Sequence, residues 1–384
     1  MMTIRFPHLH AAIVQHPWAI TPDRLQAIAE VVERRAEGIR LSASEIAALK
    51  GEREPNGVAT LFSATTLDQV GVVGQQISVL GRGEGGSPAP VASVIAVISV
   101  FGIIAQHASE VDDISGPGGT STERVMRSFR NALGDASVKA IVLRFNSPGG
   151  NVHGVQVLAN EIFKARGQKP IIAQVDSLAA SAAYWIASAC DEIVVTPGGQ
   201  VGSIGVYGLH RDVSKAAEAQ GVKFTFVSAG KYKVEGNQYE PLTDEATQAL
   251  QAQIDDYYRD FTTDVARGRG VKVSDVVGGF GEGRVEKDRV AVKLGMADRV
   301  ATLDETLRRV ASMKTSSGPR ADHDTILHAT ADATEPDAPP SPPVDNPSGL
   351  QVSGNLLDAS APSATESDRD AFRRRRHAHR SRNG

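Results

Sequence analysis

The sequence predicts an α/β domain with a largely parallel sheet. Between about residues 91 and 307, short apolar runs alternate with amphipathic helical patterns. Continuous apolar runs are typical of strands buried on both faces, and strand–helix alternation is typical of parallel sheets. The runs that carry this prediction cover residues 91–100, 140–145, 170–175, 192–196, 201–209 and 222–228.

Helical patterns fill the intervals between these runs. Apolar residues recur at helical spacing between Thr120 and Gly134, so we expect Thr120 to cap a helix that ends at Gly134. Thr243 begins a longer helix in the same way. Three further helices are predicted. One covers about residues 152–165, one begins near Ser181, and one covers about residues 212–220.

The overall composition excludes several classes of protein. The 384 residues carry a formal net charge of −4, which argues against a nucleic-acid binder. Cys190 is the single cysteine, so an intramolecular disulfide and a zinc cluster built on cysteines are both excluded. The uncharged stretch 91–105 is shorter than the roughly 20 residues that a membrane span needs. We therefore predict a buried strand there and no membrane span.

The N-terminal part of the chain has a helical pattern of its own. Thr21 and Pro22 predict the first turn of a helix, because Pro is favoured at the first helical position. A second helix is predicted to begin at the capping box Ser42–Glu45. We expect an N-terminal helical region over residues 1–56 and a variable segment and linker over residues 57–90.

The C-terminal part has the composition of a tail. Residues 313–384 are rich in Pro, Ala and Asp and show no apolar periodicity. Such segments bury too little apolar surface to fold, so the sequence predicts a disordered tail after a globular domain over residues 91–312. The tail has a basic end that includes Arg373–Arg376, which is typical of an interaction segment or of a solubilising end.

Three short segments together supply what acyl transfer needs. Ser181 lies among small residues, follows an apolar strand and opens a helix. The Ala182 N–H at that helix N-terminus is the natural first donor to an oxyanion. Upstream, Asn146–Gly150 predicts a tight turn, where the Gly149 N–H is our choice for the second donor.

A serine hydroxyl is a weak nucleophile and needs a base within reach. The segment Gly230–Lys233 offers two lysines, Lys231 and Lys233, which share a face on an extended backbone. An ordinary lysine, with a pKa of about 10.4, is protonated at pH 7, so burial must lower the pKa of the one that acts. Spacing alone does not separate the two candidates.

Several of these segments resemble the S49 serine peptidases. Residues 144–152, 179–187 and 201–206 carry the resemblance, and Gly230–Lys233 and Gly283–Val285 extend it in the family's order. The similarity covers roughly residues 91–307. The family includes bacterial signal peptide peptidase A and the head-maturation proteases of tailed phages. It implies a crotonase/Clp-protease-like spiral of ββα units, here with an N-terminal helical appendage and a disordered C-terminal tail.

The resemblance also implies roles for individual residues. Ser181 matches the nucleophile of a Ser–Lys dyad and Lys233 matches its general base. Ser203 matches a serine that hydrogen-bonds the base. The implied oxyanion hole uses Gly149, Gly150 and Ala182. One departure is visible: relatives usually have Gly-Gly after the nucleophile, whereas this chain has Ala182 and Ala183.

The implied function is that of a serine endopeptidase that needs no metal or cofactor. Since no membrane anchor is found, we expect cleavage of phage capsid or scaffold proteins during prohead maturation, in the host cytoplasm or the procapsid. The tail would contact shell or scaffold proteins. Degradation of signal peptides in a bacterium is the alternative. In single-domain relatives the base comes from a neighbouring protomer, so the resemblance implies a homo-oligomeric ring with shared sites.

Other chemistries stay open at this point. His210 could serve as the base of a Clp-type Ser–His–Asp triad. A crotonase-like acyl-CoA enzyme would use the oxyanion hole without Ser181. A scaffold protein without catalytic activity would need neither the oxyanion hole nor Ser181. Cys190 could be a thiol nucleophile, although a buried small residue is the expected role of that side chain.

Overall fold

A computed structural model describes residues 17–21, 57–64, 69–73, 93–107 and 119–313 of the chain. The predicted N-terminal helices and the predicted tail after residue 313 lie outside these ranges. Within them, no helix combines the length and the hydropathy that a membrane crossing requires.

The described residues form one mixed sheet of eleven strands. Parallel pairs make up its centre, and antiparallel pairs lie towards its edges. The strands are β1 (Trp18–Ile20), β2 (Ala59–Ser63), β3 (Gln69–Val73), β4 (Val94–Ala105), β5 (Thr120–Ser121), β6 (Val138–Asn151), β7 (Ile171–Ala180), β8 (Glu192–Val195), β9 (Gln200–Gly202), β10 (Val285–Lys287) and β11 (Arg299–Val300).

The strand order along the sheet is β10-β9-β7-β6-β4-β2-β3, and the other four strands pair off this path. β6 pairs in parallel with β4 on one side and with β7 on the other. β7 continues in parallel to both β8 and β9. The α/β class and the parallel centre predicted from the apolar runs are therefore confirmed.

Helices connect these strands. They are α1 (Thr122–Gly134), α2 (Val155–Lys164), α3 (Ala182–Ser188), α4 (Ser214–Ala219), α5 (Asp244–Arg269), α6 (Val273–Gly279), α7 (Asp288–Lys293) and α8 (Leu303–Ser312). Thr243 caps α5 as predicted, because its side chain accepts a hydrogen bond from the Ala246 N–H at 3.1 Å. The cap of α1 is Ser121 instead of the predicted Thr120. Thr120 belongs to β5, where its hydroxyl donates to the Phe101 carbonyl at 2.7 Å.

The predicted turn at Asn146–Gly150 is wrong. β6 continues to Asn151, and register shifts in its pairings with β4 and with β7 take up the irregularity, which includes a positive φ at Gly149. The glycines are needed because other backbone comes close. A Cβ on Gly150 would lie 1.8 Å from the Ile104 carbonyl oxygen, which leaves no room for a side chain.

The predicted strand at 222–228 is also wrong. These residues form no strand in the structure, and all of them are exposed. Their apolar side chains include Val222, Phe224 and Val227, and Val227 is 97% exposed. The apolar run gave the strand prediction, but no neighbouring strand within the described chain pairs with it.

Helix α3 is the most deeply packed element near the candidate nucleophile. All seven of its residues are buried. The Trp185 ring stacks on Phe261 with 4.6 Å between ring centroids, and its Nε1–H donates to the Asp264 carboxylate at 2.9 Å. This packing fixes the N-terminus of α3, where Ser181 lies.

Candidate active site

Ser181 lies at the junction of β7 and α3, in a backbone conformation that is rare for a residue with a side chain. Its φ is 56° and its ψ is −121°, and it is the N-cap residue of α3. Its N–H donates to the Gly202 carbonyl at 2.7 Å. A left-handed φ at a non-glycine residue costs about 1–3 kcal/mol and is concentrated at functional sites. Packing on both sides therefore holds the hydroxyl at the start of a helix against local strain.

The predicted oxyanion donors lie beside Ser181. Ala182 is the first residue of α3, where a backbone N–H has no acceptor within the helix. A Cβ built on Gly149 would lie 2.9 Å from the Ser181 Cβ, so the Gly149 backbone touches the serine. The Gly149 N–H donates to the Ser147 hydroxyl at 3.2 Å. That donor would have to leave Ser147 in order to hold an oxyanion.

Ser203 is close to the same junction. Its neighbour Gly202 pairs with Ala180 of β7 and accepts the Ser181 N–H. Ser203 has a φ of 55°, and its own N–H donates to the Arg284 carbonyl at 2.7 Å. The structure thus brings together Ser181, Ser203 and the two donor segments.

Lys233 is not part of this cluster within a single chain. It lies in an exposed turn, and its N–H donates to the Gly230 carbonyl at 3.2 Å. Across the described residues, no hydrogen bond joins Lys233 to Ser181 or to Ser203. The structure of one chain leaves the predicted base in solvent, whereas Ser181 is buried.

Lys231 is engaged elsewhere. Its ammonium donates to Glu245 at 2.7 Å and to the Tyr232 hydroxyl at 2.8 Å. The hydrogen bond to Glu245 and then that to Tyr232 raise the pKa of Lys231 above its ordinary value. A raised pKa makes an amine harder to deprotonate, so these contacts disfavour Lys231 as the base.

His210 has a partner away from Ser181. Its Nε2 lies 3.1 Å from the Asn237 carbonyl oxygen, within the exposed segment that also contains Lys233. Asp212, the nearby carboxylate, accepts from the Ser214 N–H at 2.8 Å. These contacts tie the segment together and do not form a triad with Ser181.

Cys190 lies two residues after the end of α3 and is fully buried. Burial raises the pKa of its thiol well above the ordinary range, so the reactive thiolate is absent at neutral pH. We expect iodoacetamide to leave the native protein unmodified and to label it after denaturation, as measured by intact mass. Rapid labelling of the native chain would contradict this placement.

One element near Ser181 was missed by the sequence analysis. β1 lies along the end of β6 and pairs antiparallel with Gly149, Gly150 and Asn151. A three-residue strand gives no periodicity, and no motif pointed to it.

The fold and this site define a class: an α/β protein with a serine at a strained strand–helix junction, flanked by backbone donors. Comparison with known proteins finds a family match over part of the chain. Residues 164–316 match peptidase family S49. The resemblance seen in the sequence motifs is therefore confirmed.

Proteins with similar sequences carry names consistent with this family. The head-tail preconnector protein GP5 of Enterobacteria phage P21 is 32% identical over 58% of this chain and 44% of its own length. The capsid assembly protease C of Escherichia phage lambda is 30% identical over 56% of this chain and 48% of its own. A putative protease of Methanocaldococcus jannaschii is 33% identical over 48% of this chain and 59% of its own. The chain thus spans about half the length of these relatives.

Among solved structures, a mutant ClpP1 of Listeria monocytogenes aligns with a TM-score of 0.34 and 11% identity. The alignment covers 55% of this chain and 94% of the ClpP1 chain.

Proposed function

We propose that this protein is a serine endopeptidase that uses a Ser–Lys dyad. The observation that carries the proposal is the placement of Ser181 at a strained helix N-terminus, between the Gly149 and Ala182 backbones. The match to family S49 and the protease names of several relatives support the same reaction.

In the proposed reaction, the neutral amine of Lys233 takes the proton from the Ser181 hydroxyl. The Ser181 Oγ attacks the scissile carbonyl carbon, and the carbonyl electron pair moves onto oxygen. The N–H groups of Ala182, Gly149 and Gly150 hold this oxyanion. Collapse of the intermediate expels the amine product, which takes its proton from the Lys233 ammonium. Water then hydrolyses the acyl-enzyme with Lys233 again as the base, and Ser203 orients the lysine.

A second copy of the chain would supply the general base that a single chain does not bring to Ser181. We define the arm as residues 205–241, the segment that contains Lys233. The arm exposes a set of large apolar side chains, which is typical of a surface covered by a partner. They are Val222, Phe224, Phe226, Val227 and Tyr232. If the arm of one protomer reached the Ser181 cluster of its neighbour, Lys233 would be buried there, and burial favours the neutral amine.

We further propose that the substrates are capsid or scaffold proteins of a phage head. The names of the relatives from phages P21 and lambda support this setting. The C-terminal tail would tether the protease to shell or scaffold proteins. Signal-peptide degradation is the second candidate, because relatives named Protease 4 and signal peptide peptidase are also similar.

Labelling with a serine-directed fluorophosphonate tests the reaction class. We expect covalent attachment at Ser181, identified by peptide mass mapping, together with cleavage of unfolded casein. His210→Ala should keep both properties, since His210 is bonded within the arm. Labelling without cleavage in both the wild type and the Trp18→Asp variant would reject the peptidase. Absence of labelling and of cleavage in both proteins would favour the acyl-CoA or scaffold alternatives.

The identity of the natural substrates needs a separate experiment. Purified protein should be incubated with capsid and scaffold proteins from the same genome and with detergent-solubilised signal peptides. Specific cleavage of the former is expected. Cleavage of signal peptides with intact capsid and scaffold proteins would replace the phage-head proposal with the second candidate.

A further inference from the structure

A groove for extended backbone lies directly over Ser181. One wall is the end of β6, residues 149–151, after β7 has turned away into α3. The other wall is the segment that follows Ser203 and includes Tyr207. Both walls offer main-chain N–H and C=O groups, which can bind a peptide strand of almost any sequence.

β1 fills this groove. Trp18, Ala19 and Ile20 pair antiparallel with Asn151, Gly150 and Gly149 in that order. On the other wall, Trp18 and Tyr207 exchange two backbone hydrogen bonds of 2.9 and 3.1 Å. The Thr21 N–H donates to the Pro148 carbonyl at 3.1 Å. Backbone hydrogen bonds therefore hold the short strand on both sides.

The occupant lies within reach of the nucleophile. The position that a Cβ on Gly149 would take is 2.2 Å from the Ala19 carbonyl oxygen and 2.9 Å from the Ser181 Cβ. These two atoms are therefore no more than 5.1 Å apart, the sum of the two distances. Ser181 is 1% exposed with β1 in place, and all three β1 side chains are buried. An external peptide has no access to Ser181 while β1 is seated.

We propose that residues 17–21 are a pseudosubstrate: a segment of the chain that occupies the peptide groove and must leave before a polypeptide substrate can enter. This inference rests on the proposed peptidase function for its consequence, but the groove and its occupant rest on geometry alone. The ligand class is an extended polypeptide bound through its main chain. The antiparallel direction of β1 along residues 149–151 is the direction in which we expect a substrate to run.

The strand can be locked in place by a disulfide. Trp18 and Tyr207 exchange both hydrogen bonds, and such pairs have Cα atoms about 5.5 Å apart, within the range that a disulfide spans. In the double variant Trp18→Cys/Tyr207→Cys, oxidation should abolish fluorophosphonate labelling of Ser181, and reduction should restore it. The single variants are the controls, and native Cys190 is buried.

The strand can also be released. Trp18 is 6% exposed, so Trp18→Asp places a charge where an indole is buried. If the groove is open in only a small fraction of molecules, release should speed labelling of Ser181 by about tenfold or more. Val157→Asp is the matched control, because Val157 is 61% exposed on α2. Melting temperatures of both variants show whether the fold is retained.

A binding measurement separates this inference from the peptidase proposal. A fluorescent peptide with the sequence of residues 17–21 should bind the full-length Trp18→Asp/Ser181→Ala variant, and a scrambled peptide should bind more weakly. Equal labelling of the locked and reduced forms, or no binding of the matched peptide, would show that β1 is only a structural strand. Binding without labelling of Ser181 in any variant would keep the groove and reject the nucleophile.

Discussion

Replacing Ser181 with alanine is expected to lower kcat for peptide hydrolysis by about 10⁴-fold or more, as loss of the catalytic serine does in serine proteases. Alanine removes the Oγ that attacks the substrate carbonyl in the proposed reaction, while the backbone N–H groups of Gly149 and Ala182 remain. The residual rate reports what these donors achieve without covalent catalysis. Cleavage of a fluorogenic casein substrate measures the change, both in the wild type and in the Trp18→Asp background.

Ser188→Ala is the matched control for this substitution. Ser188 is also a buried serine and is the last residue of α3, where its hydroxyl donates to the Trp185 carbonyl at 2.8 Å. Its loss should change stability slightly and leave turnover nearly intact. Equal loss of activity in both variants would show that the helix, and not the Ser181 hydroxyl, carries the effect.

The centre of the sheet could be predicted because its strands are buried whatever surrounds them. The sequences of β4, β6 and β7 contain continuous apolar runs because both faces of these strands are covered. Their ends could not be predicted in the same way. The run 140–145 gave no sign that β6 extends to Asn151, because pairing beyond the apolar core depends on close backbone contacts instead of side-chain pattern.

The arm shows a different limit. An apolar run such as 222–228 indicates that side chains favour burial, but it does not say which molecule buries them. The sequence could predict that Ser181 and Ala182 lie together at a strand–helix junction, since that junction is local. It could not place Lys233, because no local sequence signal fixes where an exposed turn lies relative to a distant site. β1 was missed for a related reason: its partners lie far along the sequence.

Lys233 provides the second decisive test. Lys233→Ala should abolish peptide cleavage, because no other amine would take the Ser181 proton. Lys231→Ala is the matched control: this neighbouring exposed lysine is paired with Glu245 and should be dispensable. If Lys231→Ala lost activity and Lys233→Ala retained it, the general base would be Lys231 and not Lys233.

Mixing the two inactive variants tests where the base comes from. If Lys233 of one protomer serves Ser181 of the next, subunits of Ser181→Ala and Lys233→Ala that are exchanged in equal amounts should regain activity. Random assembly places an intact serine opposite an intact lysine in about one quarter of the sites of a closed ring. If both groups act within one chain, no mixed assembly contains a complete site and activity stays at the level of the parents. The recovered fraction, measured after co-refolding and size-exclusion chromatography, therefore shows whether the exposed arm is a catalytic part of its neighbour.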